Sequence, residues 1–212
     1  MTTERLRVCQ HPLVQHHLGH LRDVGTSPAE FRSLVHRLAT LLASEATRDL
    51  ELSDSTATTP LAVTKTKVLC QRIALVPILR AGLGLVDPFL DLIPTAEVWH
   101  LGVYRNEATA TPVEYYQKLP RDNPVDVAFV VDPMLATGGS ATHTLALLKR
   151  WGVKRLKLVS LIAAPEGVSA VSRAFPDVEI VVAAVDECLN DRKFIVPGLG
   201  DAGDRQFNTL RS

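Results

Sequence analysis

With 212 residues, 46% of them apolar, the chain has material for one well-buried domain and little for a second. Its 23 lysines and arginines are matched by 23 aspartates and glutamates, so it lacks the basic excess that marks a nucleic-acid or anionic-membrane surface. Cys9, Cys70 and Cys188 lie far apart with no Cys-x-x-Cys pair, and no apolar run approaches the roughly 18 residues of a spanning helix, which argues against a disulfide framework, a zinc ribbon or a membrane span. A single domain over 1–212, soluble and cytoplasmic, with no nucleic acid or membrane as partner, is the expectation.

Residues 1–50 read as a helical arm. Within it His16 and His20 have the i, i+4 spacing of a metal pair, but no acid or cysteine stands nearby to complete a site, and a solvated helical face is the better reading. Ser27-Pro28-Ala29-Glu30 is a capping box with proline at the first helical position, after which Phe31, Leu34, Val35, Leu38, Leu41 and Leu42 recur at helical spacing to about residue 49. Five apolar, β-branched runs follow, at 72–79, 96–104, 125–132, 156–164 and 178–186. Continuous rather than alternating hydrophobicity marks strands covered on both faces. Helical patterns lie between them: GLGLVDPFLDLI, SATHTLALLKRW closed by Gly152, and PEGVSAVSRAF. The fold class is therefore α/β, a central, mostly parallel sheet flanked by helices, with ligands expected at the carboxyl ends of the strands. The polar stretch 105–124 is too long for an ordinary connection and reads as a flap or β-arm.

The chemistry concentrates in VVDPMLATGGSAT, residues 130–142, a strand running into a glycine-rich turn. Gly138 and Gly139 permit positive φ and present bare N–H groups, and Thr137, Ser140 and Thr142 add hydroxyls where a helix begins, which makes a pocket for an anion. No lysine follows the glycines as a Walker A loop requires, and Asp132 adds a negative charge, so the ligand carries hydroxyls or a metal as well as phosphate. Arg80, Arg105, Asp132 and Asp186-Glu187 all fall at strand ends. Any one of them could be a surface ion pair, but two arginines beside an anion-binding turn suggest a ligand with more than one phosphate group. AGLGLVD places Asp87 where the third glycine of a dinucleotide fingerprint would stand, which disfavours a Rossmann site. The tail, 190–209, carries three glycines and a proline among the apolar anchors Phe194, Ile195, Val196 and Leu199, and can offer backbone groups to a small planar ligand at close range.

Together these segments resemble the uracil phosphoribosyltransferase family of the type I phosphoribosyltransferases. The resemblance is carried by HPLVQHHLGHLRD (11–23), VPILRAGLGLVDP (76–88), YRNEATATPVEYYQKLP (104–120), VDPMLATGGSA (131–141), AAPEG (163–167) and IVPGLGDAGDRQFNT (195–209), nearly the whole chain. It implies the type I phosphoribosyltransferase fold with a base-binding C-terminal segment, 187–212. The activity it implies is transfer of phosphoribosyl from 5-phosphoribosyl 1-diphosphate to N1 of uracil, with Mg²⁺, giving UMP and diphosphate. By the same resemblance Asp132, Pro133, Met134, Leu135, Ala136, Thr137, Gly138, Gly139 and Ser140 hold the ribose hydroxyls and 5-phosphate. Arg80 and Arg105 lie near the diphosphate, Ile195, Gly200, Asp201 and Ala202 hold uracil, and Asp201 also faces the donor. The catalytic group would comprise Asp132, Arg105 and Asp201. A homodimer or homotetramer is implied, and GTP as an allosteric activator is a partner the resemblance raises and the residues do not locate.

Two departures from the family's pattern stand out, and one contrast with the wider superfamily. Phe194 stands where many members carry tyrosine, and Arg192 and Lys193 where small or neutral residues are commoner. Val131 and Pro133 flank a single Asp132 where superfamily relatives often show two adjacent acids, so Mg²⁺ is expected to be held by diphosphate and water with no direct protein ligand. Two rival readings compete with a uracil enzyme: a nucleotide sensor on the same fold, and a transferase for another base.

Overall fold

The computed structural model describes residues 5–105, 112–117 and 122–209, with 103–105 and 112–117 described by their backbone alone. In chain order the elements begin with β1 (Leu6–Val8), α1 (Pro12–Arg22), α2 (Pro28–Ala46), β2 (Leu52–Thr58), β3 (Val63–Leu69) and β4 (Ile73–Pro77). A 3₁₀ turn (Ala81–Leu85) leads to α3 (Val86–Leu92), β5 (Glu97–Val98), β6 (Leu101–Arg105), β7 (Pro112–Gln117), β8 (Val127–Val131), β9 (Met134–Leu135) and α4 (Gly139–Trp151). The chain closes with β10 (Arg155–Ala163), α5 (Pro165–Ala174), β11 (Glu179–Val185), β12 (Cys188–Leu189), β13 (Ile195–Val196) and α6 (Ala202–Phe207).

The central sheet runs in the order β1-β11-β10-β8-β4-β5, with β9 also paired to β10, and every pairing in it is parallel. Its inner strands are buried on both faces, and their residues alternate between two cores. Leu75, Phe129 and Val131 face α1, α2 and α3, whereas Val76, Ala128 and Val130 face the layer of α4 and α5. Fully buried side chains such as Phe31, Phe89 and Phe129 each stabilise the fold by about 1.5–3 kcal/mol relative to exposure.

The expected helical arm of 1–50 is a packed layer. Ser27 Oγ accepts from the Glu30 N–H at 3.3 Å, as the capping box requires, and Phe31, Leu34, Val35, Leu38, Leu42 and Ala46 are buried. α2 stops at Ala46, short of the expected 49, where Thr47 Oγ1 turns back to the Ala43 carbonyl at 2.8 Å. Its end is pinned by Lys157, a lysine in the middle of an apolar strand. Lys157 is 1% exposed, and its ammonium donates to the Ala46 carbonyl at 2.7 Å and meets Asp49 at 2.5 Å and Glu179 at 2.8 Å.

Three features differ from the sequence reading. The segment opens with an edge strand, β1, too short to leave a pattern. The run 96–104 is two strands: β5 belongs to the sheet, while β6 pairs antiparallel with β7, and between them buried Trp99 packs edge-on to Trp151 at 4.5 Å. The third is an antiparallel hairpin, β2–β3, whose residues are exposed or half-exposed throughout. Among the described residues no helix is long and apolar enough to cross a membrane.

Candidate active site

The parallel strands deliver their carboxyl ends to one edge, and the chain leaving β8 is fixed there by backbone alone. The Val131 carbonyl accepts from the Ile78 N–H at 3.0 Å, and the Asp132 N–H donates to Val159 at 3.2 Å. The Pro133 carbonyl takes the N–H groups of Leu161 and Ile162 at 3.0 and 3.1 Å, after which Met134 and Leu135 pair with β10 a second time. The loop thus arrives at Thr137 already rigid. Gly138 turns it with φ +80°, in a space where a Cβ would meet Ala170 and the Gly167 carbonyl at 3.1 Å, so only glycine fits. α4 begins at Gly139 with no side chain capping it, and Gly139 N–H lies 3.4 Å from Thr137 Oγ1. Its amino end therefore offers N–H groups and the positive pole of the helix dipole to an anion.

A cavity of about 160 Å³ opens on this end of α4, lined by Asp132 and by Met134 through Ala141. Of the loop residues expected to hold the sugar phosphate, all but Pro133 line it, and Pro133 is buried behind it. Asp132 keeps part of its surface open to the cavity. Burial nonetheless pushes its carboxyl up to about 7, against the lowering effect of one hydrogen bond from the Met134 backbone.

Beside this loop, the turn after β4 carries Arg80, whose Leu79–Arg80 peptide is cis. Its side chain is exposed, with Nη2 at 3.4 Å from Asp204 Oδ1. The turn touches the loop on one side and the tail on the other. A Cβ on Gly82 would fall 2.5 Å from the Val131 carbonyl, and one on Gly84 would lie inside the Gln206 carboxamide. Arg105 ends β6 and is paired with Pro112; its side chain lies outside the described residues. β6 is docked beside the Arg80 turn through the Ile78–Leu101 bridge and the Leu79 N–H on the Leu101 carbonyl. Of the expected flap, 105–124, β7 is present as the partner of β6, and 106–111 and 118–121 lie outside the described residues.

The tail is held by arginines. Arg22, at the end of α1, pairs with both carboxylate oxygens of Asp186 at 2.8 and 2.5 Å and donates to the Gly198 carbonyl at 2.6 Å; Asp186 in turn takes the Gly198 N–H at 2.9 Å. Arg205 lies over the Phe31 ring and donates to the carbonyls of Leu21, Leu199 and Asp23, and Arg32 donates to that of Gln206. Asp186, grouped by the sequence with the strand-end ligands, is spent on this clamp. Ile195 is buried, Gly200 has φ +77°, and Asp201 caps α6 by accepting from the Asp204 N–H at 2.9 Å. The Ala202 side chain is fully buried in the core, so a base could meet that residue only through its backbone. Phe194 is 43% exposed, and Arg192 and Lys193 are exposed beside it.

Sequence spacing could not single out Arg22, Arg205, Asp204 or Gln206, whose roles depend on a fold that brings residue 22 to residue 186. The His16 and His20 rings do touch, at 4.8 Å, and burial with the nearby His16, Arg37 and His20 lowers the pKa of His17, an environment that disfavours a cation. Among the described residues no group of three histidines, cysteines or acids is placed to hold a metal. A second hollow, about 220 Å³, lies at the opposite ends of the strands. Its walls are Arg7, Asp49, Arg155, Lys157 and Glu179, whose charges pair with one another.

The model of the family described as uracil phosphoribosyltransferase matches residues 8–209. The protein named uracil phosphoribosyltransferase from Roseiflexus sp. (strain RS-1) is 57% identical over 205 residues, 97% of this chain and 99% of its own. Among solved structures, the AQ2163 protein from Aquifex aeolicus superposes with a TM-score of 0.92 at 36% identity, covering 98% of this chain and all of its own. A hypoxanthine phosphoribosyltransferase from Staphylococcus aureus shares the fold alone, with a TM-score of 0.52 at 16% identity over 87% of this chain and 91% of its own.

Proposed function

The chain belongs to the uracil phosphoribosyltransferase family, and from that premise we infer which of its residues carry each part of the reaction. It has the type I phosphoribosyltransferase fold and is a pentosyltransferase. It transfers phosphoribosyl from 5-phosphoribosyl 1-diphosphate to N1 of uracil, forming UMP and diphosphate in pyrimidine salvage.

The 5-phosphate is assigned to the amino end of α4, against the backbone of Thr137 to Ser140, where N–H groups and hydroxyls are fixed before the ligand arrives. Asp132, on the wall of the same cavity, accepts the ribose hydroxyls. Those donors favour its ionised form, so donor binding draws its carboxyl back down from about 7. Loss of diphosphate leaves positive charge on the sugar ring and negative charge on the leaving group. Arg80 and Arg105 neutralise the latter, and the 105–124 flap keeps water from the sugar. Uracil stacks against the tail, with the backbone of Ile195 and of Gly200 to Ala202 meeting its O4, N3–H and O2 edge, and Asp201 facing both base and donor.

Mg²⁺ would supply further charge neutralisation on the diphosphate. A lone Asp132 between Val131 and Pro133 offers no ligand pair, so the ion is assigned to diphosphate and water oxygens. A cytoplasmic location belongs to the same reading, as does assembly of two copies or a multiple of two.

The observation that carries the reading is the position of the Arg80 turn, packed against the strand that feeds Asp132 and against the helix that follows the tail glycines. It joins an anion loop, an arginine and a base segment at one sheet edge. The test is UMP formation from uracil, donor and MgCl₂, with and without GTP, beside cytosine and hypoxanthine. Uracil should be preferred over cytosine by roughly 10⁴-fold, because a backbone edge built for N3–H leaves unpaired groups against cytosine. UMP binding without turnover in any condition would favour a sensor, and comparable use of cytosine would move base selection away from this backbone.

A further inference from the structure

The functional reading leaves Asp204 without a task, yet it stands where two parts of the site meet. It lies in the first turn of α6, two residues beyond Ala202, and its carboxylate holds Thr209 Oγ1 at 2.6 Å and Arg80 Nη2 at 3.4 Å on the same oxygen, Oδ1. Arg80 is exposed and among the described residues pairs with no carboxylate but that of Asp204, whereas Arg205 of the tail and Arg32 of α2 are tied to backbone carbonyls. The backbone around the pair is closely packed. The Arg80 turn is wedged between the Val131 carbonyl and the buried Gln206, whose Nε2 lies 3.4 Å from the Ala81 carbonyl. A rearrangement here would therefore fall on the guanidinium, at the end of a long and exposed side chain.

We propose that Asp204 is a positioning residue that parks the Arg80 guanidinium between turnovers, surrenders it to the diphosphate of the donor, and takes it back as diphosphate leaves. The exchange follows from strengths. An exposed ion pair is weak, and a diphosphate with several charged oxygens outcompetes a single carboxylate for a guanidinium. A parked arginine also costs the complex part of its affinity. Donor and product diphosphate are held less tightly than a free Arg80 would hold them, and release of the product is correspondingly easier.

The inference rests on the assignment of Arg80 to the diphosphate, and the test separates the two. Binding of inorganic diphosphate with MgCl₂ to the full chain is measured by calorimetry for the wild type, Asp204→Asn, Arg80→Gln and the double variant. Asparagine keeps an oxygen for Thr209 and removes the charge, so Asp204→Asn should retain its melting temperature. It should bind diphosphate about two- to five-fold more tightly, the range of an exposed ion pair, with product inhibition by diphosphate deepened by the same factor. In the Arg80→Gln background the same change should add nothing. Unchanged or weaker binding in Asp204→Asn would overturn the proposal. So would a gain that persists without Arg80, which would mean plain repulsion between Asp204 and diphosphate. If Arg80→Gln itself leaves diphosphate binding intact, the assignment of Arg80 fails first and the parking role falls with it.

Discussion

At the scale of single residues, the structure separates residues that hold the candidate site together from those that line its cavity. Gly138 and Gly139 are neighbours in sequence with different duties. Gly138 has positive φ and no room for a Cβ, so Gly138→Ala should lower thermal stability as well as phosphate binding. A Cβ on Gly139 meets nothing nearer than Thr137 Oγ1 at 3.6 Å, so Gly139→Val should melt close to wild type while losing UMP and donor affinity. Calorimetric UMP titrations beside melting curves test the pair, and unchanged UMP affinity in Gly139→Val would remove the loop from the site. Asp132 gives a pH signature. Its carboxyl is raised from 3.8 to about 7 by burial, so the folded chain binds that proton more tightly than the unfolded chain does. Stability from this group is thus present at low pH and declines as pH rises through the window from about 3.8 to 7. Asp132→Asn, which cannot ionise, should raise the melting temperature more at pH 8 than at pH 4 while abolishing donor binding. Equal shifts at the two pH values would show that Asp132 is not held near neutrality.

At the scale of elements, the tail is a short irregular segment made rigid by arginines from elsewhere in the chain. Arg22→Ala would leave the buried Asp186 with the Gly198 N–H as its remaining partner among the described residues, a loss on the order of 3–5 kcal/mol for a broken buried pair. Because Arg22 reaches the tail and not the α4 loop, uracil KM should rise far more than the affinity for diphosphate falls. Equal losses in both would show that the clamp supports the whole domain. The buried strands were legible in the sequence because continuous β-branched runs have few other uses, and α2 because its cap and its apolar spacing agree. The glycine loop was legible because its chemistry is local. The clamp was not, since Arg22 and Asp186 are 164 positions apart and nothing in either's surroundings names the other. β5 and β6 were merged because Trp99 and His100 prolong an apolar run across a break that only sheet pairing defines. β2–β3 left no signal of a buried strand, for LSDSTAT and VTKTKVL are largely polar and bury nothing within the chain.

That last point sets the argument at the scale of the whole molecule. The apolar face of α2 is consumed by the chain's own core. The hairpin β2–β3 is the reverse case. Leu52 and Leu69 form an exposed cross-strand pair at 56% and 42%, and Val63 and Leu61 at its tip are 69% and 96% exposed, although a two-stranded hairpin with no packed face is marginal in water. A cover would stabilise such a ribbon, and in a family member proposed to assemble in pairs a second copy would supply it. Two ribbons exchanged about a twofold axis would be matched and closed, the arrangement that ends in a dimer and not a filament. The chain should therefore sediment as a dimer, or a multiple of one, at micromolar concentration. The hairpin can be removed cleanly because its ends already meet: the Cys70 N–H donates to the Glu51 carbonyl at 3.3 Å, so a short glycine linker joins them without disturbing either core. The shortened chain should sediment one step lower in mass while keeping a cooperative melting transition and diphosphate binding. A wild-type chain that sediments as a monomer would sink this assignment. So would a shortened chain that assembles unchanged, which would place the contact between copies on another face.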